Sequence, residues 1–88
     1  MAKFMSIHTM TPGGFGREQI EAMARAALAD PVIKPYRSFC SLGEGKAVCI
    51  LEAPDKESVV AWLAKMQMPT DCVTCLELEG HGGVIASA

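Results

Sequence analysis

Residues 36–54 read YRSFCSLGEGKAVCILEAP, and this stretch decides the fold. Two runs rich in Val, Ile, Phe and Tyr flank a turn that contains glycine, which is the pattern of a β-hairpin. A two-residue turn at Glu44 and Gly45 would place Cys40 directly opposite Cys49. Opposed residues share one face of a sheet, so we predict that the two thiols lie side by side. A register slip of one residue would send them to opposite faces.

The rest of the chain supplies two helices and two further strands. Residues 3–10 alternate as a strand, and residues 17–29 carry an apolar stripe at helical spacing that ends before Pro31. Asp55 is the predicted N-cap of a second helix, and residues 71–79 are the predicted last strand. The order βαββαβ predicts an α+β ferredoxin-like sandwich. Its four-stranded antiparallel sheet has the usual order 4-1-3-2, with both helices on one face.

The apolar stripe of the first helix is rich in alanine and methionine. It consists of Ile20, Met23, Ala24, Ala27 and Leu28. Small side chains allow a helix to approach a sheet closely, so we interpret this stripe as core rather than as a cofactor site.

Composition and charge limit the classes of function. The 88 residues suit one small domain, which we assign to residues 1–80, followed by a flexible Gly-rich tail at 81–88. The net charge is −2 without a Lys/Arg cluster, which argues against nucleic-acid binding. No apolar run reaches the about 18–20 residues of a membrane span, and no signal peptide is evident. Four cysteines without a secretory signal indicate free thiols or metal ligands in the cytoplasm.

The two faces of the predicted sheet differ in chemistry. We expect the helices to cover the face that carries Ile7, Phe39, Ile50, Leu76 and Leu78. The opposite, open face then gathers His8, Cys40, Cys49 and Cys75. Imidazole and thiolate are ligands that suit nickel, copper and zinc, so these four residues are the predicted metal ligands. The plainer alternative is that the cysteines are packing residues and that His8 is a hydrogen-bonded structural histidine.

Three short motifs carry a family resemblance. Ser38-Phe39, KAVCI at 46–50 and APDKE at 53–57, with Pro69 after the second helix, resemble a family of small bacterial ferredoxin-like proteins named for nickel-responsive, nickel-binding members. The resemblance covers about residues 3–79 and implies a dimeric α+β sandwich with nickel as a candidate metal. Cys49 lies on a clear family motif.

Two positions depart from the family pattern. Trp62 and Arg37 stand where many members carry histidine. In this chain, His8 and the thiols are therefore the ligands predicted to take their place.

Three hypotheses for function follow. The first is a cytoplasmic nickel-type metal-binding protein, with copper and zinc as alternatives, that dimerises through the open faces of its sheets. The second is a small monooxygenase-like or isomerase-like enzyme, for which a ligand-sized apolar cavity beside His8 would be the sign. The third is a non-catalytic dimeric interaction module. The sequence favours a binding protein over an enzyme, because no convincing acid–base pair is present and His8 is the one obvious candidate base.

Overall fold

A computed structural model describes all residues from Met1 to Ala88. The elements are β1 (Ala2–Thr9), α1 (Arg17–Ala29), β2 (Lys34–Ser41), β3 (Lys46–Ala53), α2 (Lys56–Lys65), β4 (Cys72–Cys75), β5 (Leu78–His81) and β6 (Val84–Ser87). Strands β1 to β4 form one sheet in the order β2-β3-β1-β4, and every neighbouring pair is antiparallel. The predicted ferredoxin-like topology is therefore confirmed. Neither helix is long and apolar enough to cross a membrane.

Both helices begin at the residues that their capping chemistry favours. The Asp55 carboxylate accepts hydrogen bonds from the hydroxyl and the backbone N–H of Ser58, at 2.7 and 2.8 Å, as predicted for an N-cap. These two bonds lower the pKa of Asp55. At the start of α1, the Gln19 side chain accepts a bond from the backbone N–H of Gly16 at 2.6 Å.

The β2–β3 hairpin differs from the prediction by two residues. Ser41 pairs with Lys46, so the turn spans Leu42 to Gly45 instead of two residues, and Cys40 lies opposite Ala47 while Ser38 lies opposite Cys49. A shift of two residues keeps every side chain on its face, because the period of a strand is two. The two thiols therefore share a face, but they are diagonal neighbours rather than direct ones.

The turn ends at Gly45 because no other residue fits there. Gly45 has φ +69°, and its carbonyl oxygen accepts a hydrogen bond from the backbone N–H of Met10 at 2.8 Å. A Cβ atom at this position would lie 2.1 Å from the carbonyl oxygen of Met10. This close approach of two backbones fixes the end of β1 against the turn and sets the hairpin register.

The helix-covered and open faces of the sheet are exchanged relative to the prediction. Ser6 and His8 are fully buried on the side of the helices, whereas Phe39 is 60% exposed on the opposite side. Register places Ile7 and Ile50 on the same open face as Phe39. The period of two correctly groups the residues that share a face, but it does not show which face is buried, because both groups contain apolar residues. The polar side chains of Ser6 and His8 favoured a solvent-exposed face for their group. Both can be buried because they form a hydrogen bond of 2.8 Å with each other.

The core lies between the helices and this inner face. Its buried apolar members are Phe4, Met10, Ala27, Ile33, Ala47, Leu51, Ala53, Val59, Trp62, Leu63, Met68 and Val73. Helix α2 contributes three of them, whereas α1 contributes Ala27 alone. Helix α1 is therefore the more loosely packed of the two.

The segment predicted as a tail, residues 81–88, belongs to a second β-hairpin, which is formed by residues 78–87. The predicted strand at 71–79 breaks between Cys75 and Leu78, and β5 pairs with β6 across a turn at Gly82 and Gly83. Both glycines have positive φ, 58° and 81°, which a two-residue type I′ turn requires.

One carboxylate ties this C-terminal hairpin to the main sheet. Glu79 accepts hydrogen bonds from the ammonium of Lys3, at 2.8 Å, and from the hydroxyl of Tyr36. Both contacts lower the pKa of Glu79, with the Lys3 bond as the larger cause. The Lys3 ammonium also lies over the Tyr36 ring, 4.1 Å from its centre.

Candidate functional site

A cavity of about 140 Å³ lies between the inner face of the sheet and the two helices. Small side chains contribute to both of its walls: Ala24 and Ala27 on α1, and Ala47 and Cys49 on β3. The alanine stripe was predicted to be core that approaches the sheet closely, and this holds for part of it. Ala27 is buried, whereas Ala24 is exposed and Leu28, at the edge of the stripe, is 66% exposed.

His8 is the most constrained polar residue beside this cavity. Its Nδ1 lies 2.7 Å from the carbonyl oxygen of Pro69. A carbonyl oxygen can only accept a hydrogen bond, so Nδ1 carries a proton and donates it. In the neutral ring Nε2 then has the lone pair, and it accepts a hydrogen bond from the Ser6 hydroxyl at 2.8 Å. The Pro69 carbonyl thus selects one tautomer of a buried imidazole.

The surroundings of His8 leave Ser6 with a second acceptor. The Ser6 hydroxyl lies 3.4 Å from the carbonyl oxygen of Cys49, so it can turn away from the imidazole without losing its hydrogen bond. On the other side of the ring, the Thr70 hydroxyl lies 3.3 Å from Nδ1 and donates to the carbonyl of Met68 at 3.0 Å. The loop after α2 therefore fixes the Nδ1 side of the ring, whereas the hydrogen bond at Nε2 can be released when Ser6 turns to its second acceptor.

Cys40 and Cys49 line the same cavity as His8. All four cysteines of the chain are free thiols. Burial against the cavity wall raises the pKa of Cys40, and a negative charge on Cys49 would raise it further. The Cys40 thiol is therefore held in its neutral form more strongly than a solvated thiol, unless a cation binds it.

Register shows how the three donors are placed around one small residue. Ala47 lies directly opposite His8 on β1 and directly opposite Cys40 on β2. Cys49 is two residues further along β3, on the same face and diagonal to both. The methyl group of Ala47 leaves the space above it free for the longer side chains on either side.

The predicted ligand set is thus brought together in part. His8, Cys40 and Cys49 border one cavity, but on the helix-covered side of the sheet instead of the open face. Cys75 lies apart from them, exposed, opposite Phe4 near the other end of β1. No three His, Cys, Asp or Glu side chains are grouped closely enough to form a ready-made metal site.

Two parts of the site were not predicted from the sequence. The Pro69 carbonyl is a backbone group, and no side-chain pattern reveals where it points. The cavity itself is lined by Ala24 and Ala47, which lie on two distant elements. The sequence nevertheless contained an indication of the cavity, because the small residues on the predicted first helix and third strand are compatible with a gap as well as with close packing.

Comparison with known proteins agrees with the fold described above. The model of the family described as nickel responsive protein SCO4226-like matches residues 4–75. The crystal structure of SCO4226 from Streptomyces coelicolor A3(2) superimposes with a TM-score of 0.75 and 22% sequence identity, covering 90% of this chain and 100% of that one. A search of curated proteins gave no match. Because the family match spans most of its length, the chain belongs to the nickel responsive SCO4226-like family.

Proposed function

We propose that this chain is a small cytoplasmic transition-metal-binding protein, of nickel type, that acts as a homodimer. The observation that carries the proposal is the state of His8. Its Nδ1–H is bonded to a backbone carbonyl, its Nε2 accepts a hydrogen bond from Ser6, and the ring borders a cavity that is also lined by two thiols. Histidines that bind metals in proteins almost always donate their other ring N–H to a carbonyl or carboxylate in this way.

The donor set fits a transition metal in its chemistry, although it is not assembled. One imidazole and two thiols suit nickel, copper and zinc. Binding requires the Ser6 hydroxyl to turn from Nε2 of His8 to the Cys49 carbonyl, and the Cys40 and Cys49 side chains to rotate over Ala47. Membership of a nickel-responsive family supports nickel among these metals. The bound ion would supply a positive charge that stabilises the two thiolates.

Replacement of Cys49 by serine is the direct test of this proposal. We expect Cys49→Ser to weaken Ni²⁺ binding by about tenfold or more, because a hard hydroxyl replaces a soft thiolate while the side chain keeps its size. The measurement is calorimetric titration of reduced protein with Ni²⁺, followed by Cu²⁺ and Zn²⁺. Cys75→Ser is the matched control, since Cys75 is exposed and remote from the cavity, and it should leave the affinity unchanged. Equal affinities for both variants would refute a role for Cys49.

The dimer is proposed to form through the open face of the sheet. This face carries a group of apolar side chains that no helix covers, and Leu78 of the C-terminal hairpin borders three of them, Met5, Phe39 and Ile50. The other members of the group are Ile7 and Val48. The C-terminal hairpin extends the group with Leu78, Val84 and Ile85, which are 64–66% exposed. A two-stranded hairpin alone is marginally stable, so a second copy that covers these residues would stabilise it.

A charge placed on the open face should separate the two copies. We expect Phe39→Glu to shift the protein toward monomer by at least about tenfold in dissociation constant, because dimerisation would bury an unpaired carboxylate. Sedimentation velocity across a range of concentrations measures this. Leu28→Glu is the control, since Leu28 is equally exposed but belongs to α1 on the other side of the sheet. Wild-type protein that sediments as a monomer at all concentrations would contradict the proposal.

A further inference from the structure

We propose that the cavity between α1 and the sheet also binds a compact, neutral, apolar molecule of about the size of benzene. Its volume of about 140 Å³ is close to that of engineered apolar protein cavities, about 150 Å³, which take up benzene or xenon. Those cavities are sealed, whereas this one is open to solvent where Glu21, Ser38 and Cys40 are exposed. Drug-sized ligands need pockets of about 300 Å³ or more, so the volume limits the ligand to a small one. His8, Cys40 and Cys49 border the same cavity, so the apolar ligand is expected in the metal-free protein, and its binding does not depend on a bound metal.

The walls of the cavity define the class of ligand. Of its 15 lining residues, 11 are hydrophobic, including Met23, Leu51 and Trp62. The one fully buried polar residue in the wall is His8, and both its ring nitrogens already have hydrogen-bond partners. No buried side-chain nitrogen or oxygen atom of the protein lacks a partner. Water in the cavity would therefore form few hydrogen bonds with the protein, and an apolar molecule could replace it without leaving a protein polar group unpaired.

The cavity lacks the fixed charge that an organic ion would need. Glu21 is the only charged residue of the lining, and its carboxylate is engaged by Arg17 at 2.8 Å on the exposed side of α1. An organic cation or anion would find no free opposite charge inside, whereas a metal ion would be held through the donor atoms of His8 and the cysteines. The lining residues Glu21, Ser38 and Cys40 are all exposed, and they lie where α1 meets edge strand β2. This side is the entrance for the ligand.

The loose attachment of α1 makes the entrance accessible. Ala27 is the one fully buried residue of this helix. Because α1 contributes only one residue to the buried core where α2 contributes three, we expect α1 to move outward more easily, which would admit a molecule without unfolding the domain.

The test is titration of metal-free, reduced protein with benzene, followed by NMR of the alanine and methionine methyl groups. We expect saturable shift changes at Met23, Ala27 and Ala47. Ala24 is an exposed lining residue of α1, so Ala24→Leu places a larger side chain at the mouth of the cavity and should weaken benzene binding by about tenfold or more. The matched control is Ala22→Leu, on the same helix but outside the cavity, which should bind benzene as the wild type does.

A second measurement avoids reliance on the variants. Crystals of the wild type pressurised with xenon should show one xenon atom between Ala24 and Ala47. Absence of both saturable methyl shifts and xenon from the cavity would overturn the proposal. Equal benzene affinity in folded Ala24→Leu and Ala22→Leu would overturn it as well. Because EDTA-treated protein is used, failure here leaves metal binding unaffected, and failure of Ni²⁺ titration leaves this result unaffected.

Discussion

Gly45→Ala is expected to destabilise the domain by about 3 kcal/mol or more. The added Cβ atom would lie 2.1 Å from the Met10 carbonyl oxygen, and backbone atoms cannot yield as a flexible side chain can. The positive φ of +69° adds the strain of a left-handed conformation to this collision. Urea unfolding followed by circular dichroism measures the loss. A domain of this size loses about 4–8 °C in Tm for each kcal/mol, so the effect is also visible in a thermal scan.

Gly43→Ala provides the matched control in the same turn. A Cβ atom at Gly43 meets nothing within 4 Å, so the free energy of unfolding should change by less than about 1 kcal/mol. Similar losses in both variants would show that glycine content, rather than the contact with Met10, governs the turn. Because this turn fixes the register of β2 and β3, a folded Gly45 variant should also bind Ni²⁺ more weakly.

The second large effect is expected for His8→Ala, at about 3 kcal/mol of lost stability. The substitution removes a fully buried ring and leaves a void between β1 and the loop after α2. It also leaves the Pro69 carbonyl without the donor that lies 2.7 Å away in the wild type. The measurement is again urea unfolding, carried out with EDTA so that metal binding does not contribute to the difference.

The other histidine of the chain is the control for this substitution. His81 is exposed on the C-terminal hairpin, and His81→Ala should change the free energy of unfolding by no more than about 0.5 kcal/mol. If His8→Ala were as harmless as His81→Ala, the imidazole would contribute nothing as a structural element. The proposed tautomer of the ring would then lose its physical basis.

The sequence was sufficient for the topology because each element carries its own local signal. Asp55 and Asp30-Pro31 mark helix boundaries, and the order βαββαβ leads to one common sheet arrangement. The choice of inner face was not determined in the same way. Phe4 and Ile7 are both apolar and point in opposite directions, and Ser6 and His8 are buried only because they satisfy each other and the Pro69 carbonyl.

The sequence predicted three residues of the candidate site, but not which side of the sheet they occupy. The alternation of side chains along β2 and β3 correctly placed Cys40 and Cys49 on one face with His8, since an error of two residues in register leaves each side chain on the same face. Cys75 also lies on the predicted face. It is nevertheless remote from the other three residues, because the alternation of side chains gives no information about position along a strand. The apolar cavity depends on packing between α1 and the sheet, which sequence periodicity does not describe.

The position of β1 in the sheet has a consequence for the order of events during synthesis. Of the four strands of the main sheet, this one leaves the ribosome before the others, yet it is central, and its partners are β3 and β4, which emerge later. The β2–β3 hairpin can close once residue 53 has emerged, whereas β1 must remain unpaired until then and lacks its second neighbour until residue 75 has emerged. A chain arrested before β4 would therefore leave one side of its central strand open, which is the form most exposed to aggregation.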